Sequence, residues 1–287
     1  MTETFDAGWL DLREPFDAAA RHAGLADRFI AALPPRPVIM DLGAGGGSLF
    51  RWLAPRIGGD QAWLLVDADA SLLDHALNIT AAWGAAQGFA VRAASGLMLR
   101  TPGGIWRIGA KVADLADLAP LDIGAADGVV CSALLDLVSP GWIAALAGEV
   151  TGPVLTCLNV DGHDTMLPRH AADRTITTGF RRDQSRNKGF GPSVGRHAEA
   201  FFQAAFADEG FAVSTAASPW HIPAGSAQML SALVDGHAAA AARWMRSSRG
   251  TIAAWRKSRL RQIAAGRLAM RVGHRDLLAV PLDAPGG

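Results

Sequence analysis

Val38-Ile39-Met40-Asp41-Leu42-Gly43-Ala44-Gly45-Gly46-Gly47 sets a short, mostly apolar run directly against five residues of which four are glycine. A run this short, ended by glycine, reads as a buried strand, and residues 48–53 read as a short helix stopped near Pro55. Glycine between a strand and a helix lets the backbone turn tightly and lets a ligand approach with no Cβ in the way. A dinucleotide-binding loop has the order G-x-G-x-x-G, but the third glycine position here is Ser48. The order is instead Asp41-x-Gly43-x-Gly45-x-Gly47, with a carboxylate two residues before the first glycine. A pyrophosphate held at a helix N-terminus would be repelled by that carboxylate, whereas a cationic ligand would be attracted. Asp41 is the discriminating residue.

The strand-then-helix pattern repeats on both sides. Residues 62–66 are apolar and end in Asp67, and Ser71 then opens a helix containing Leu72, Leu73, Ala76, Leu77 and Thr80. Asp74, three residues after Ser71, makes a weaker form of the capping box. Thr101-Pro102-Gly103-Gly104 is a turn between two candidate strands. Residues 128–132 and 153–160 are further apolar strands, and Ser139-Pro140 starts the helix between them. Upstream, Pro15 is placed as the first residue of a helix that keeps Phe16, Ala20, Ala23, Ile30 and Leu33 on one side as far as Pro34-Pro35. Downstream come a polar insertion (161–195), a helix (197–209), a strand (211–217), two Ala/Arg-rich helices (about 226–266) and a last strand (268–280). Strands that are apolar on both faces and alternate with helices imply a parallel sheet covered on both sides. The expected organisation is one domain over residues 1–287. It has a helical cap (1–34), a ligand-binding core (36–160), the insertion (161–195), and the rest of the sheet with a helical insertion at 226–266.

Composition narrows the function. The chain has 287 residues, 50% of them hydrophobic and 19% charged, enough to bury a core. No apolar run approaches the ~20 residues of a spanning helix, and the acidic start MTETFDAG is unlike a signal peptide. A soluble, cytoplasmic protein is expected. Cys131 and Cys157 sit in apolar runs and read as buried, inert thiols, since two cysteines alone build neither a disulfide framework nor a thiolate metal site. Tyrosine is absent, which removes tyrosine acid–base chemistry. Arginine outnumbers lysine 24 to 3 and alanine is abundant, as in the proteins of GC-rich bacterial genomes. Net charge is zero but polarised, −7 over residues 1–150 and +7 over 151–287. Ten basic and no acidic residues lie between Arg243 and Arg275. Such a block is either a face for an anion or nucleic acid, or a solvated helix surface.

The Asp41 and glycine pattern resembles motif I of the class I S-adenosylmethionine-dependent methyltransferases, whose cofactor carries a sulfonium and an ammonium but no phosphate. Further matches follow in order. Asp67, 24 positions after Gly43, resembles the acid that accepts bonds from both ribose hydroxyls in that family. Asp114-Leu115 resembles the segment that binds the adenine, and Ala126 to Asp136 resembles motif IV and the loop after the fourth strand, including Ser132. The resemblance covers residues 36–160 and implies a doubly wound, mostly parallel, seven-stranded α/β sheet with a reversed last strand, an N-terminal helical cap and a C-terminal helical insertion. It implies S-adenosylmethionine as cofactor, S-adenosylhomocysteine as product, and Asp41, Gly43, Ala44, Gly45, Asp67, Ala68, Asp114, Leu115 and Ser132 as cofactor-binding residues. Arg13 is added as a group that reaches the methionine carboxylate.

Methyl transfer from a sulfonium is an in-line displacement on an activated substrate, so alignment can supply ~7–11 kcal/mol and no base is obligatory. Ser132-Ala133-Leu134-Leu135 lacks the proline and aromatic residue of the enzymes that methylate base amino groups, and looks more like the small-molecule branch. Asp136, His163 and Asp183 are the candidate bases. Arg182, Arg186 and Lys188 in the insertion are candidates for an anionic group of the acceptor. His163-x₆-His170 has no chelating spacing, so no metal is expected. The favoured reading is methylation at O or N of a small, possibly anionic molecule. The rivals are an RNA methyltransferase using the basic block and a non-catalytic S-adenosylmethionine-binding scaffold. Membrane association is not expected, and the oligomeric state is not legible.

Overall fold

The computed structural model describes residues 6–94, 96–187 and 189–282. The carboxylate of Asp6 accepts the Trp9 amide and starts α1 (Ala7–Ala20), so Pro15 stands inside this helix rather than at its first position. The expected single helix from residue 15 to residue 33 is in fact two. The chain breaks at Arg21-His22, and the His22 ring accepts the Leu25 amide at 3.2 Å to open α2 (Ala23–Ala31). β1 (Val38–Leu42) follows, then α3 (Ser48–Ile57), which carries Pro55 inside it instead of stopping there.

β2 (Gln61–Asp67) leads into α4 (Ala70–Ala86). Asp69, not Ser71, caps that helix, because its carboxylate accepts both the Ser71 amide (2.8 Å) and the Ser71 hydroxyl (2.6 Å). β3 (Ala90–Ala94) and β4 (Gly96–Arg100) form a hairpin, and the expected turn at 101–104 joins β4 to β5 (Ile105–Val112), with Thr101 N–H donating to Gly104 C=O at 2.9 Å. Only short 3₁₀ turns, Ala119–Leu121 and Ile123–Ala125, link β5 to β6 (Gly128–Ser132). Then come α5 (Pro140–Glu149), capped by Ser139 as expected, and β7 (Val154–Val160). The insertion holds β8 (Thr165–Leu167) and α6 (Asp173–Gln184). After it come α7 (Ala198–Asp208), β9 (Phe211–Ala217), β10 (Trp220–Ile222), α8 (Ala227–Trp244), α9 (Arg249–Ala264), β11 (Ala269–Val272) and β12 (His274–Pro281).

The main sheet has nine strands in the order β3-β4-β5-β2-β1-β6-β7-β12-β9. β5, β2, β1, β6 and β7 are mutually parallel, and β12 runs against both its neighbours. The expected seven strands are therefore present from β5 to β9, and the β3–β4 hairpin extends that edge by two. The central strands are covered on both faces. Phe29, Phe50, Trp63 and Trp106 pack with α2, α3 and α4 on one side, and Trp142, Phe202 and Phe206 with α5 and α7 on the other.

A second, antiparallel sheet, β10-β11-β8, forms a small subdomain with α6, α8 and α9. The expected last strand (268–280) is cut at Gly273 into β11 and β12, which belong to different sheets. A Cβ at Gly273 would stand 2.0 Å from the Asp161 carboxylate, so only glycine lets the chain pass this point. Among the described residues, no helix is long and apolar enough to cross a membrane.

Candidate active site

Parallel strands end on the same side, so β1, β2, β5 and β6 deliver Asp41, Asp67, Asp114 and Ser132 to one edge. Around these ends lies a cavity of about 390 Å³, with a smaller one of about 50 Å³ beside it under α1. Ligands of open α/β sheets bind at this edge. The glycine loop separates the two cavities. Gly45 has φ +50°, and a Cβ there would lie 3.2 Å from the Leu10 side chain of α1, so the loop and α1 approach as closely as they do only without a side chain.

Asp67 closes β2 and shapes that loop. One of its oxygens accepts the Gly45 amide at 2.9 Å and the other the Asp69 amide at 3.0 Å. Each oxygen keeps a further lone pair, and the carboxylate lines the larger cavity. Asp114 lies across that cavity with one oxygen on the Ala116 amide (3.0 Å), and the Leu115 carbonyl next to it accepts the Trp142 indole N–H at 2.6 Å.

Asp41 is 1% exposed, and neither of its oxygens has a hydrogen-bond partner. Burial pushes its carboxyl up to about 8; the charge of Arg21 opposes that rise and the charge of Asp67 adds to it. It borders the smaller cavity together with Arg13, Glu14 and Asp17 of α1 and Ser48 and Ser132. Buried polar atoms are almost always paired, so two orphaned carboxylate oxygens facing a cavity mark a place for a cationic donor. Arg13 touches both cavities. It grips Asp17 through Nε (2.9 Å) and Nη2 (3.2 Å), and its guanidinium lies 4.9 Å over the Trp220 ring.

The ten residues expected to bind cofactor all border one cavity or the other, Ala68 the larger and Ala44 the smaller. The other candidates are placed elsewhere. Asp136 is buried in the 3₁₀ turn Leu135–Leu137, and it is the flanking Leu134 and Leu137 that line the cavity. His163 is 75% exposed and lies 3.3 Å from Asp161. Asp183 is on α6, where it takes two bonds from Arg243 (2.9 and 2.8 Å) and one from the Trp244 indole (3.0 Å). Burial acts against its charge, but those bonds outweigh it and hold the carboxyl below the usual range.

Arg182 points at the Met245 sulfur, and Arg186 lies 3.5 Å from Asp183; neither borders the cavity. Lys188 lies outside the described residues. The insertion reaches the cavity through Phe190 instead. Sequence reasoning missed Leu10, Phe190 and Arg21. Leu10 gave no local signal, Phe190 stood among more conspicuous arginines, and Arg21 fell inside the single helix expected from Pro15 to Leu33.

No family model matches the sequence, and no curated protein matches it significantly. Solved structures do. A protein assigned as a type II methyltransferase from Anaeromyxobacter dehalogenans is similar over 92% of this chain and 97% of its own, at 14% identity and a TM-score of 0.50. One assigned as a sarcosine dimethylglycine methyltransferase from Galdieria sulphuraria is similar over 90% and 84% (13% identity, TM-score 0.44). The geranyl diphosphate C-methyltransferase of Streptomyces coelicolor A3(2), in complex with Mg²⁺, geranyl diphosphate and S-adenosyl-L-homocysteine, is similar over 91% and 80% (13%, 0.43). The first of these shows the fold, and this chain has the fold of the class I methyltransferases.

Proposed function

We propose that the chain is an S-adenosylmethionine-dependent methyltransferase acting on O or N of a small molecule. The observation that carries this reading is the pairing of Asp67, anchored by two backbone amides at the end of β2, with the unpartnered, buried Asp41. The first suits a ribose diol and the second an ammonium, and the two cavities they border are contiguous with the same glycine loop. Asp114 and Leu115 would hold the adenine, Ser132 and Arg13 the methionine end, and Gly43, Ala44, Gly45 and Ala68 the backbone-lined path between them. When bound, the cofactor supplies an electrophilic methyl group on a sulfonium.

The chain's own part is alignment and exclusion of water. α1 roofs the methionine end, and Leu10, Leu134, Leu137 and Phe190 give the larger cavity apolar walls. Among the described lining residues the groups able to accept a proton are the carboxylates Asp67, Asp69 and Asp114, and no histidine, cysteine or lysine is present. Arg182 and Arg186 are not among the residues that border the larger cavity, and among the described residues Arg13 is the cation that does. Calorimetric titration with S-adenosylmethionine, S-adenosylhomocysteine and NAD⁺ tests the reading. Micromolar binding of the first two is expected, weakened at least ~10-fold in Asp67→Ala, the loss of a pair of charge-assisted bonds. Binding of NAD⁺ alone would overturn it.

A further inference from the structure

Arg21 ends α1, is buried, and points into the centre of the molecule rather than to solvent. Its Nη2 donates to the Ser48 hydroxyl at 2.9 Å and the Ser132 hydroxyl at 3.3 Å, and its Nη1 donates to the Ser48 carbonyl at 3.3 Å. Its Nε is buried without a partner. Trp52 covers the guanidinium at 5.7 Å. Ser48 and Ser132 both border the small cavity, and so does Asp41, whose two oxygens are also without partners. A buried cation and a buried anion thus lie close enough to feel each other's charge, yet no hydrogen bond joins them. Paired directly, they would spend part of their hydrogen-bonding capacity on each other. Held apart, Arg21 supplies charge compensation while Asp41 keeps its oxygens free.

The groups around Asp41 show why that compensation is needed. α1 presents Arg21 at its end and Arg13, Glu14 and Asp17 across the small cavity. β2 presents Asp67, a second negative charge. β6 and β7 present Cys131 and Cys157, both buried thiols whose own ionisation burial suppresses. Arg21 is the cation that acts on Asp41, and it opposes both burial and the charge of Asp67.

We propose that Arg21 is a positioning residue of the cofactor site, one that eases the ionisation of Asp41 toward the cofactor's ammonium and orients the Ser48 and Ser132 hydroxyls beside it. The inference rests on the proposed function, because it assigns Asp41 to the methionine end of S-adenosylmethionine. It also makes binding proton-linked. Below the pH at which free Asp41 ionises, taking up the ammonium must expel the Asp41 proton, so affinity rises tenfold per pH unit and levels off once the carboxylate is already ionised.

The test is calorimetry of S-adenosylhomocysteine binding between pH 5.5 and 9, in buffers of different ionisation enthalpy so that proton release is counted. Wild type is compared with Arg21→Lys, which keeps charge, and Arg21→Gln, which keeps a donor without charge. Wild type should release close to one proton per ligand near pH 6.5, and none in Asp41→Asn. Arg21→Gln should move the affinity midpoint upward by about one pH unit or more, with affinity at pH 7 down roughly tenfold, and Arg21→Lys should restore the wild-type midpoint. An unchanged midpoint in Arg21→Gln overturns the role of Arg21. Equal shifts in the Lys and Gln variants overturn it too, since lost geometry rather than lost charge would be the cause. Should Arg21→Gln not fold, Arg21→Lys decides alone: a wild-type midpoint supports the charge role, and a midpoint moved by about a unit or more overturns it. Failure of the functional reading looks different: wild type then binds neither ligand form at any pH.

Discussion

Asp41 on β1 and Asp276 on β12 are both buried carboxylates, but only one is satisfied. Asp276 accepts the His22 amide (2.8 Å), the Leu158 amide (2.8 Å) and the Ser218 hydroxyl (2.5 Å), which ties the α1–α2 junction, β7 and the end of β9 together at one point. Replacing it with alanine leaves three buried donors unpaired and should cost about 3–5 kcal/mol of unfolding free energy, measured by urea denaturation. Asp41 is the opposite case. Burial raises its carboxyl from 3.8 to about 8, so the folded chain binds that proton more tightly than the unfolded chain does. Its contribution to stability is therefore full below pH 4 and falls as pH rises through 8, by about 1.4 kcal/mol per unit. Asp41→Asn should gain on wild type over this window, in urea titrations at pH 5 and pH 8. A constant difference at the two pH values would contradict the burial of an unpaired carboxyl. A site that is costly when empty is a common feature of binding sites, where local stability is given up for function.

Ion pairs help to place two elements of the fold. α1 is held over the glycine loop by Glu14, which receives Arg51 Nε at 2.9 Å, and by Asp11, 2.9 Å from the His75 ring. Arg51 is buried and also donates to the Gly46 carbonyl at 2.7 Å, so one side chain joins the roof of the small cavity to its floor. Glu14→Ala should leave that guanidinium without its counter-charge and raise the cofactor off-rate several-fold, readable by stopped-flow displacement; an unchanged off-rate would mean α1 is not the roof that must open. α6 is fastened to α8 by Asp183. Because Asp183 anchors helices and lies off the cavity, Asp183→Ala should lower stability by about 1–3 kcal/mol while leaving S-adenosylhomocysteine affinity unchanged. Its lowered carboxyl adds stability above the ordinary carboxylate range, and that part is lost as pH falls below about 4. Loss of turnover with unaltered stability would return Asp183 to the role of base.

Across the whole molecule, part of the basic C-terminal block is paired with carboxylates, although Arg259 is the one buried cation of the ten. Arg259 is fully buried against Asp173, Arg243 meets Asp183, Arg256 meets Asp235, and Arg275 meets Glu199. Three of these pairs join α6, α8 and α9 of the small subdomain to one another, and the fourth joins β12 to α7 on the main sheet. With that charge compensated, the protein should leave heparin at low salt and show a shallow dependence of RNA binding on salt concentration, with a log–log slope of magnitude well below the number of basic residues. A steep slope, near −6 or beyond, would revive the nucleic-acid reading.

The αβ alternation, the central strands and the gathering of Asp41, Asp67, Asp114 and Ser132 at one edge of the sheet were legible because each depends on local rules. Apolar runs of strand length, glycine after a strand and an acid at a strand end act over a few residues, and parallel strands then bring their ends together without further instruction. Helix limits were read less well where a cap outside the pattern prevailed, as Asp6 did over Pro15 and Asp69 over Ser71. The insertion was misread for a related reason. Arg182 and Asp183 were judged by sequence neighbourhood, but their partners, Met245 and Arg243, lie 60 or more residues away. The split of the last strand at Gly273 and the burial of Arg21 beside Asp41 depend likewise on contacts from distant segments. A charge written in a sequence states what a residue can do. Whether it is spent on an internal pair or left to face a ligand is set by long-range packing, and no local pattern encodes that.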